Sequence, residues 1–190
     1  NPLRTLLFYQ DFGQLVFLDD MLALIGAPIV LEELGLDQAM LACTSVNDGI
    51  WLYDPRDFKL IRMARSLNIT HQVYQINQLV GVFVEPTFLL EQDNILYMNN
   101  PATGIMLFDI FGGYIKTIPL NISSEFQVIN NQLIYYNNEG WFAYDLTLFK
   151  LAQHIIPGSQ KDVTSVRIEK GKGLLIVQKE TRIELMIIGD

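Results

Sequence analysis

Cysteine is nearly absent from this chain of 190 residues. Cys43 stands alone, which excludes an intrachain disulfide and a thiolate metal cluster together. Histidine is almost as scarce: His71 and His154 have no acidic or cysteine neighbours at ligand spacing, so no metal site and no cofactor are expected. Positive charge is thin, with 13 Lys and Arg against 21 Asp and Glu and no basic run. A net charge of -8 and a pI near 4.7 lack the basic footprint that nucleic acid requires. No apolar window reaches the roughly 18 residues that cross a bilayer as a helix, because Gly26, Pro28 and the Glu32-Glu33 pair break the stretch from Leu22 to Leu36. Helical patterns are also few. Only Ile29 to Leu34 and Tyr74 to Val80 read as a turn or two of helix.

Half of the residues are hydrophobic, enough for a substantial core, and they recur in a module. Gly49-Ile50-Trp51-Leu52-Tyr53-Asp54, Gly104-Ile105-Met106-Leu107-Phe108-Asp109 and Gly140-Trp141-Phe142-Ala143-Tyr144-Asp145 are three copies, and Gly13 to Asp19 is a looser fourth. Turn residues precede each copy, as in the Asn-Asn-Glu-Gly run ending at Gly140. The closing aspartate suits an Asx-turn that ends the strand. Apolar residues are consecutive within the modules, so each sheet must be covered on both faces. With so little helix available, small sheets must cover one another, as in a β-propeller.

The expected fold is all-β, a propeller of four-stranded antiparallel blades. The module aspartates fall at 19, 54, 109 and 145, spacings near the roughly 40 to 50 residues of a propeller blade. The longer middle interval is read as holding an insertion, Asn68 to Pro86. A weaker last copy, Val166 to Glu169, Gly173 to Gln178 and Arg182 to Ile188, turns at Gly171-Lys172-Gly173 and lacks an outer strand. About five blades result within one domain, roughly 1–27, 28–66, 67–120, 121–157 and 158–190. The first begins mid-blade at Leu3 to Tyr9. A closed five-bladed ring fits, and so does a larger ring from which N-terminal blades are missing; the second is favoured. The chain opens on Asn1 rather than methionine, which suits removal of an upstream segment, a signal peptide included.

Chemistry is sparse. The adjacent pairs Asp19-Asp20 and Glu32-Glu33 point to opposite sides of a strand and make no acid/base dyad. The serines sit in no nucleophile elbow, and Cys43 reads as a small buried residue. Trp51 and Trp141 hold different places in the module, which puts them on opposite sheet faces as core residues. The strongest binding candidates are on the insertion and the adjoining turn: His71, Tyr74, Gln75, Asn77, Gln78, Asn99 and Asn100, a polar rim at one end of the repeat stack.

The stretches Gly49 to Asp54, Phe88-Leu-Leu-Glu-Gln-Asp-Asn94 and Asn100 to Pro119, together with Leu3 to Phe12, resemble a family of uncharacterised exported bacterial propeller-like proteins with WD40- or NHL-like repeats. The resemblance implies an extracytoplasmic location in the periplasm or envelope and carries no catalytic residues. Two functions fit. The first is a non-enzymatic scaffold that binds a protein or envelope component. The second is a carbohydrate-binding or glycan-active propeller, a hydrolase or lyase, in which Asp19, Asp20, His71 or Trp51 would have to converge.

Overall fold

The computed structural model describes residues 5–137, 139–154, 163–169 and 174–187. Leu3, Arg4, Asn138 and the Gly171-Lys172-Gly173 turn lie outside them. Five antiparallel sheets follow one another along the chain, each a meander in which every strand pairs with the next. They are the blades of a β-propeller fold.

The first sheet holds β1 (Thr5–Tyr9), β2 (Gln14–Leu18) and β3 (Ile29–Val30). The second holds β4 (Leu41–Ser45), β5 (Gly49–Asp54), β6 (Lys59–Met63) and β7 (Ile69–Val73). The third holds β8 (Phe88–Gln92), β9 (Ile95–Asn100), β10 (Gly104–Asp109) and β11 (Tyr114–Ile118). β12 (Phe126–Ile129), β13 (Gln132–Asn137), β14 (Gly140–Asp145) and β15 (Leu151–His154) form the fourth. β16 (Val163–Glu169), β17 (Leu174–Lys179) and β18 (Ile183–Ile187) form the fifth, which has no fourth strand among the described residues. The contacts divide into two compact units, Asn1–Asn121 with three sheets and Ile122–Asp190 with two.

This pairing corrects two boundaries and one assignment. β3 belongs to the first sheet, so the first blade runs past residue 27. β7 is the outer strand of the second sheet, so that blade runs past residue 66 and the supposed insertion begins with a strand. The module itself changes place: Gly49–Asp54 is the second strand of its sheet, whereas Gly104–Asp109 and Gly140–Asp145 are third strands. The 55-residue gap between Asp54 and Asp109 is therefore one repeat plus one strand. Measured from first strand to first strand, at Thr5, Leu41, Phe88, Phe126 and Val163, the repeats are 36, 47, 38 and 37 residues long. The real excess is the connection between β7 and β8, where a short helix α1 (Ile76–Val80) is inserted.

Both faces are buried along most of β5, β9, β10, β13 and β14, as consecutive apolar residues require. In β5, Ile50 and Leu52 pack with Leu15, Leu31 and Ile61 between the first two sheets. Trp51 and Tyr53 pack from the opposite face with Leu89, Leu96, Met98 and Phe108 of the third. In the second unit Ile134, Tyr136, Trp141 and Ala143 meet Leu175 and Val177. Each such large side chain contributes about 1.5–3 kcal/mol by leaving water. Trp51 and Trp141 both turn toward the sheet that follows them, contrary to the expectation of opposite faces. The shift of one strand between the two modules and the shift of one position within them cancel.

All four module aspartates close their strands. Asp19 Oδ1 accepts the Met21 and Ala23 N–H groups, and Asp54 Oδ1 accepts that of Arg56. Asp109 Oδ1 accepts Phe111 and Gly113, and Asp145 Oδ1 accepts Thr147 and Leu148. Each short carboxylate takes the turn donors that a β-ladder has just abandoned.

Between the second and third sheets lies a polar staple. The Glu91 carboxylate accepts the Ser45 hydroxyl and the Trp51 indole N–H, and the Val46 N–H at 2.9 Å. Arg62 donates to the same Ser45 hydroxyl at 2.9 Å. Cys43 packs against the neighbouring core; burial, reinforced by the Glu91 charge, pushes its thiol up to about 12. Cys43 is then expected to resist iodoacetamide at pH 8 in the folded chain and to react readily in urea, since only the thiolate attacks. Because the folded value lies above the ordinary thiol value of 9.0, this contribution to stability is complete below that pH and fades as pH climbs toward 12. Rapid labelling of the native chain at pH 8 would contradict the packing of this half-buried thiol against the core.

Candidate functional site

After β7 the chain leaves the sheet at Tyr74, and Gln75 adopts a left-handed conformation with φ 53. Its N–H and that of Ile76 donate to the Asp57 and Phe58 carbonyls, at 3.3 and 3.0 Å, which docks α1 on the turn between β5 and β6. Ile76 is fully buried beside Trp51 and Tyr53 and Val80 packs partly against the same core, so the helix is anchored by these apolar side chains while Gln78 stays exposed. Gly81, at φ 72, ends it.

The segment that follows, up to β8, is pinned by buried side chains. Tyr53 Oη donates to the Val84 carbonyl at 3.1 Å; burial is the main reason its hydroxyl is pushed up to about 12, with Asp54 and Glu85 adding to it. Asn100 Oδ1 accepts the Glu85 N–H at 2.9 Å, and its Nδ2 donates to the Phe83 carbonyl and to Thr103 Oγ1. Asn99 Nδ2 donates to Thr87 Oγ1 at 3.2 Å, and the Thr87 N–H donates to the Asn99 carbonyl.

A shallow cavity of about 680 Å³ opens beside α1, lined by Arg56, Asp57, Phe58, Tyr74, Gln75, Asn77 and Gln78. Lys59 Nζ lies 3.4 and 3.7 Å from Asp54 and Asp57 and 5.7 Å above the Tyr74 ring. Asn77 Oδ1 is buried with no hydrogen-bond partner among the described residues. Around this cavity stand large exposed side chains: Tyr74, Leu79 and Phe83 are each more than half exposed. Phe83 meets Phe58 edge to face at 5.8 Å.

Four of the seven residues singled out in the sequence, Tyr74, Gln75, Asn77 and Gln78, come together on this cavity. His71 is on β7, where its ring meets the exposed Phe111 at 5.4 Å and its Nδ1 lies 3.1 Å from Thr70 Oγ1. Asn99 and Asn100 are almost wholly buried; they hold the segment after α1 rather than facing solvent. His154, for its part, stacks on Trp141 at 3.8 Å. Sequence reasoning missed Arg56, Asp57, Phe83 and Phe111. The available signal was an aromatic flanked by turn or valine residues with no strand pattern to bury it. Among the described residues no three His, Cys, Asp or Glu side chains are grouped as metal ligands, and no helix is long and apolar enough to cross a membrane.

No protein-family model matches the chain, and no curated protein matches it in sequence. Solved structures do match its fold. Streptogramin B lyase is similar over 98% of this chain and 66% of its own, at 14% identity and a TM-score of 0.58. The extracellular domain of BT4673 from B. thetaiotaomicron is similar over 94% of this chain and 27% of its own, at 11% identity and a TM-score of 0.57. PorZ, a bacterial surface component of the type-IX secretion system of Porphyromonas gingivalis, aligns over 92% and 26%, at 14% identity and 0.54. The chain thus spans less than two thirds of these proteins. At such identities the likeness is one of fold.

Proposed function

We propose that this chain is a non-enzymatic propeller scaffold that binds a protein partner in the bacterial cell envelope, using the rim built by the connection between β7 and β8. One observation carries the reading. Tyr74, Leu79, Phe83 and Phe111 are exposed on backbone held by hydrogen bonds: the Phe83 carbonyl accepts from buried Asn100 and the adjoining Val84 carbonyl from Tyr53, Leu79 and Gln75 beside Tyr74 donate within α1 and to Asp57, and Phe111 donates to Asp109. Exposed aromatics on a rigid support, next to an arginine and paired charges, have the composition of interface hot spots, and little entropy is lost when they are covered. The extracellular BT4673 domain and the surface protein PorZ support the envelope location.

The test places a photo-crosslinking residue at Phe83 and, as a control, at Met21, which is 84% exposed in the first sheet's connection. Irradiation in envelope extract is expected to give a discrete adduct from position 83 and none from 21. Tyr74→Ala combined with Phe111→Ser should lower capture roughly tenfold, as loss of interface anchors does, with an unchanged unfolding midpoint. Identical adducts from both positions, or undiminished capture by the double variant, would reject the rim.

A further inference from the structure

A second cleft lies within the unit Ile122–Asp190, independent of the rim. It measures about 340 Å³, and its walls are the approach to β12, from Ser124 to Gln127, and β16, from Thr164 to Arg167. Both are first strands of their meanders, so among the described residues each has one edge that pairs with no strand of its own sheet. The Gln127 side chain treats the edge of β16 as a neighbouring strand would. Its Oε1 accepts the Ile168 N–H at 2.8 Å and its Nε2 donates to the Ile168 carbonyl at 3.4 Å, the two bonds a peptide unit makes in a ladder.

β-Ladder geometry extends the point. β16 pairs with β17 with Ile168 opposite Leu175, Val166 opposite Val177 and Ser165 opposite Gln178. Backbone groups alternate between the two edges of a strand. If Ile168 turns its N–H and carbonyl toward Gln127, Val166 turns its own to that same edge, about 7 Å away along the strand, where Val166 lines the cleft. The Ser165 hydroxyl, held by Gln178 Oε1 at 3.2 Å, and the Ser124 hydroxyl, held by the Tyr136 carbonyl at 2.8 Å, flank the opening. Arg167 and Glu125 span it with an ion pair at 3.1 Å whose partners are both exposed, a closure that water readily opens.

We infer that this cleft binds a short extended peptide by strand addition to the free edge of β16, with Val166 as the pairing residue and Gln127 marking the pattern. The cleft size is at the lower end of small-molecule sites, roughly 300–1,000 Å³. The rings that line it, Phe126 and Tyr136, are buried in the walls, so it offers no open aromatic plane for a sugar to stack on. What it offers is a backbone edge, and main-chain hydrogen bonds are how such an edge takes a ligand.

The probe is a phage-displayed heptapeptide pool panned against the folded 190-residue chain, followed by single N-methylation along the best binder. Methyl groups on residues whose N–H faces β16 should weaken binding roughly tenfold or more, the loss of one buried hydrogen bond with added bulk, while methyl groups on the intervening residues change it little. Ser165→Trp, which fills the cleft, should abolish binding with the thermal unfolding curve unmoved; if that variant fails to fold, the N-methyl alternation decides by itself. Failure to enrich any peptide overturns the inference. So does a binder that is indifferent to the methyl scan, or one displaced only by changes at Tyr74 and Phe111.

Discussion

Replacing Gly104 by alanine is expected to cost about 3 kcal/mol or more, enough to leave much of the chain unfolded at moderate urea. Gly104 opens β10 at φ +121, a conformation that side chains avoid, and a Cβ placed there would overlap the Ile118 carbonyl oxygen. That oxygen is backbone at the end of the next strand and cannot swing aside as a flexible side chain would. The same arrangement recurs at Gly49, whose added Cβ would meet the Met63 carbonyl oxygen at 2.8 Å. In these two copies the module begins with glycine because the following strand ends against it. Gly81 is the control: its φ of +72 is also left-handed, but an added Cβ meets nothing within 4 Å, so Gly81→Ala should cost only about 1 kcal/mol. Urea unfolding followed by tryptophan fluorescence separates the two. Equal midpoints would show that backbone strain, and not the close approach of the strands, sets the requirement.

Asn100→Ala should cost nearly as much, about 2–3 kcal/mol, and should also release the proposed binding rim. This side chain is 1% exposed and serves the Phe83 carbonyl, the Glu85 N–H and Thr103 Oγ1 at once. Alanine leaves those partners without bonds in a place water reaches poorly, and each such orphan costs about 1–3 kcal/mol before the segment relaxes. Relaxation is itself the second readout. Hydrogen exchange at Glu85 should accelerate well beyond what the change in global stability explains, because the segment after α1 would open locally. Thr103→Val removes a single bond of the set and should cost about 1 kcal/mol. Unchanged protection at Glu85 in Asn100→Ala would mean that Tyr53 and Asn99 suffice to hold the segment.

Much of the architecture was legible in the chain because it rests on short-range rules. Consecutive apolar residues in Ile50 to Tyr53 required cover on both faces, and each face is buried against a different sheet. An aspartate after each apolar run indicated a turn, and all four accept the predicted N–H groups. The site was legible only in part. Tyr74, Gln75, Asn77 and Gln78 were found because a polar segment interrupting a repeat has no other use for its side chains. Asn99 and Asn100 belong to the same polar pattern, yet their role is opposite: they face inward. An asparagine satisfied by buried backbone and one satisfied by water are identical in sequence.

The residues alone determined that this chain forms apolar strands joined by tight turns and stacked as sheets, since strand period, turn chemistry and the need to cover two oily faces act over a few residues. Only the tertiary structure decided which strand of a sheet each module becomes, that Trp51 and Trp141 turn the same way, and that β7 is an edge rather than a loop. A second and a third strand obey the same local rules. What distinguishes them is which partners lie on either side, and that depends on contacts between residues far apart in the chain.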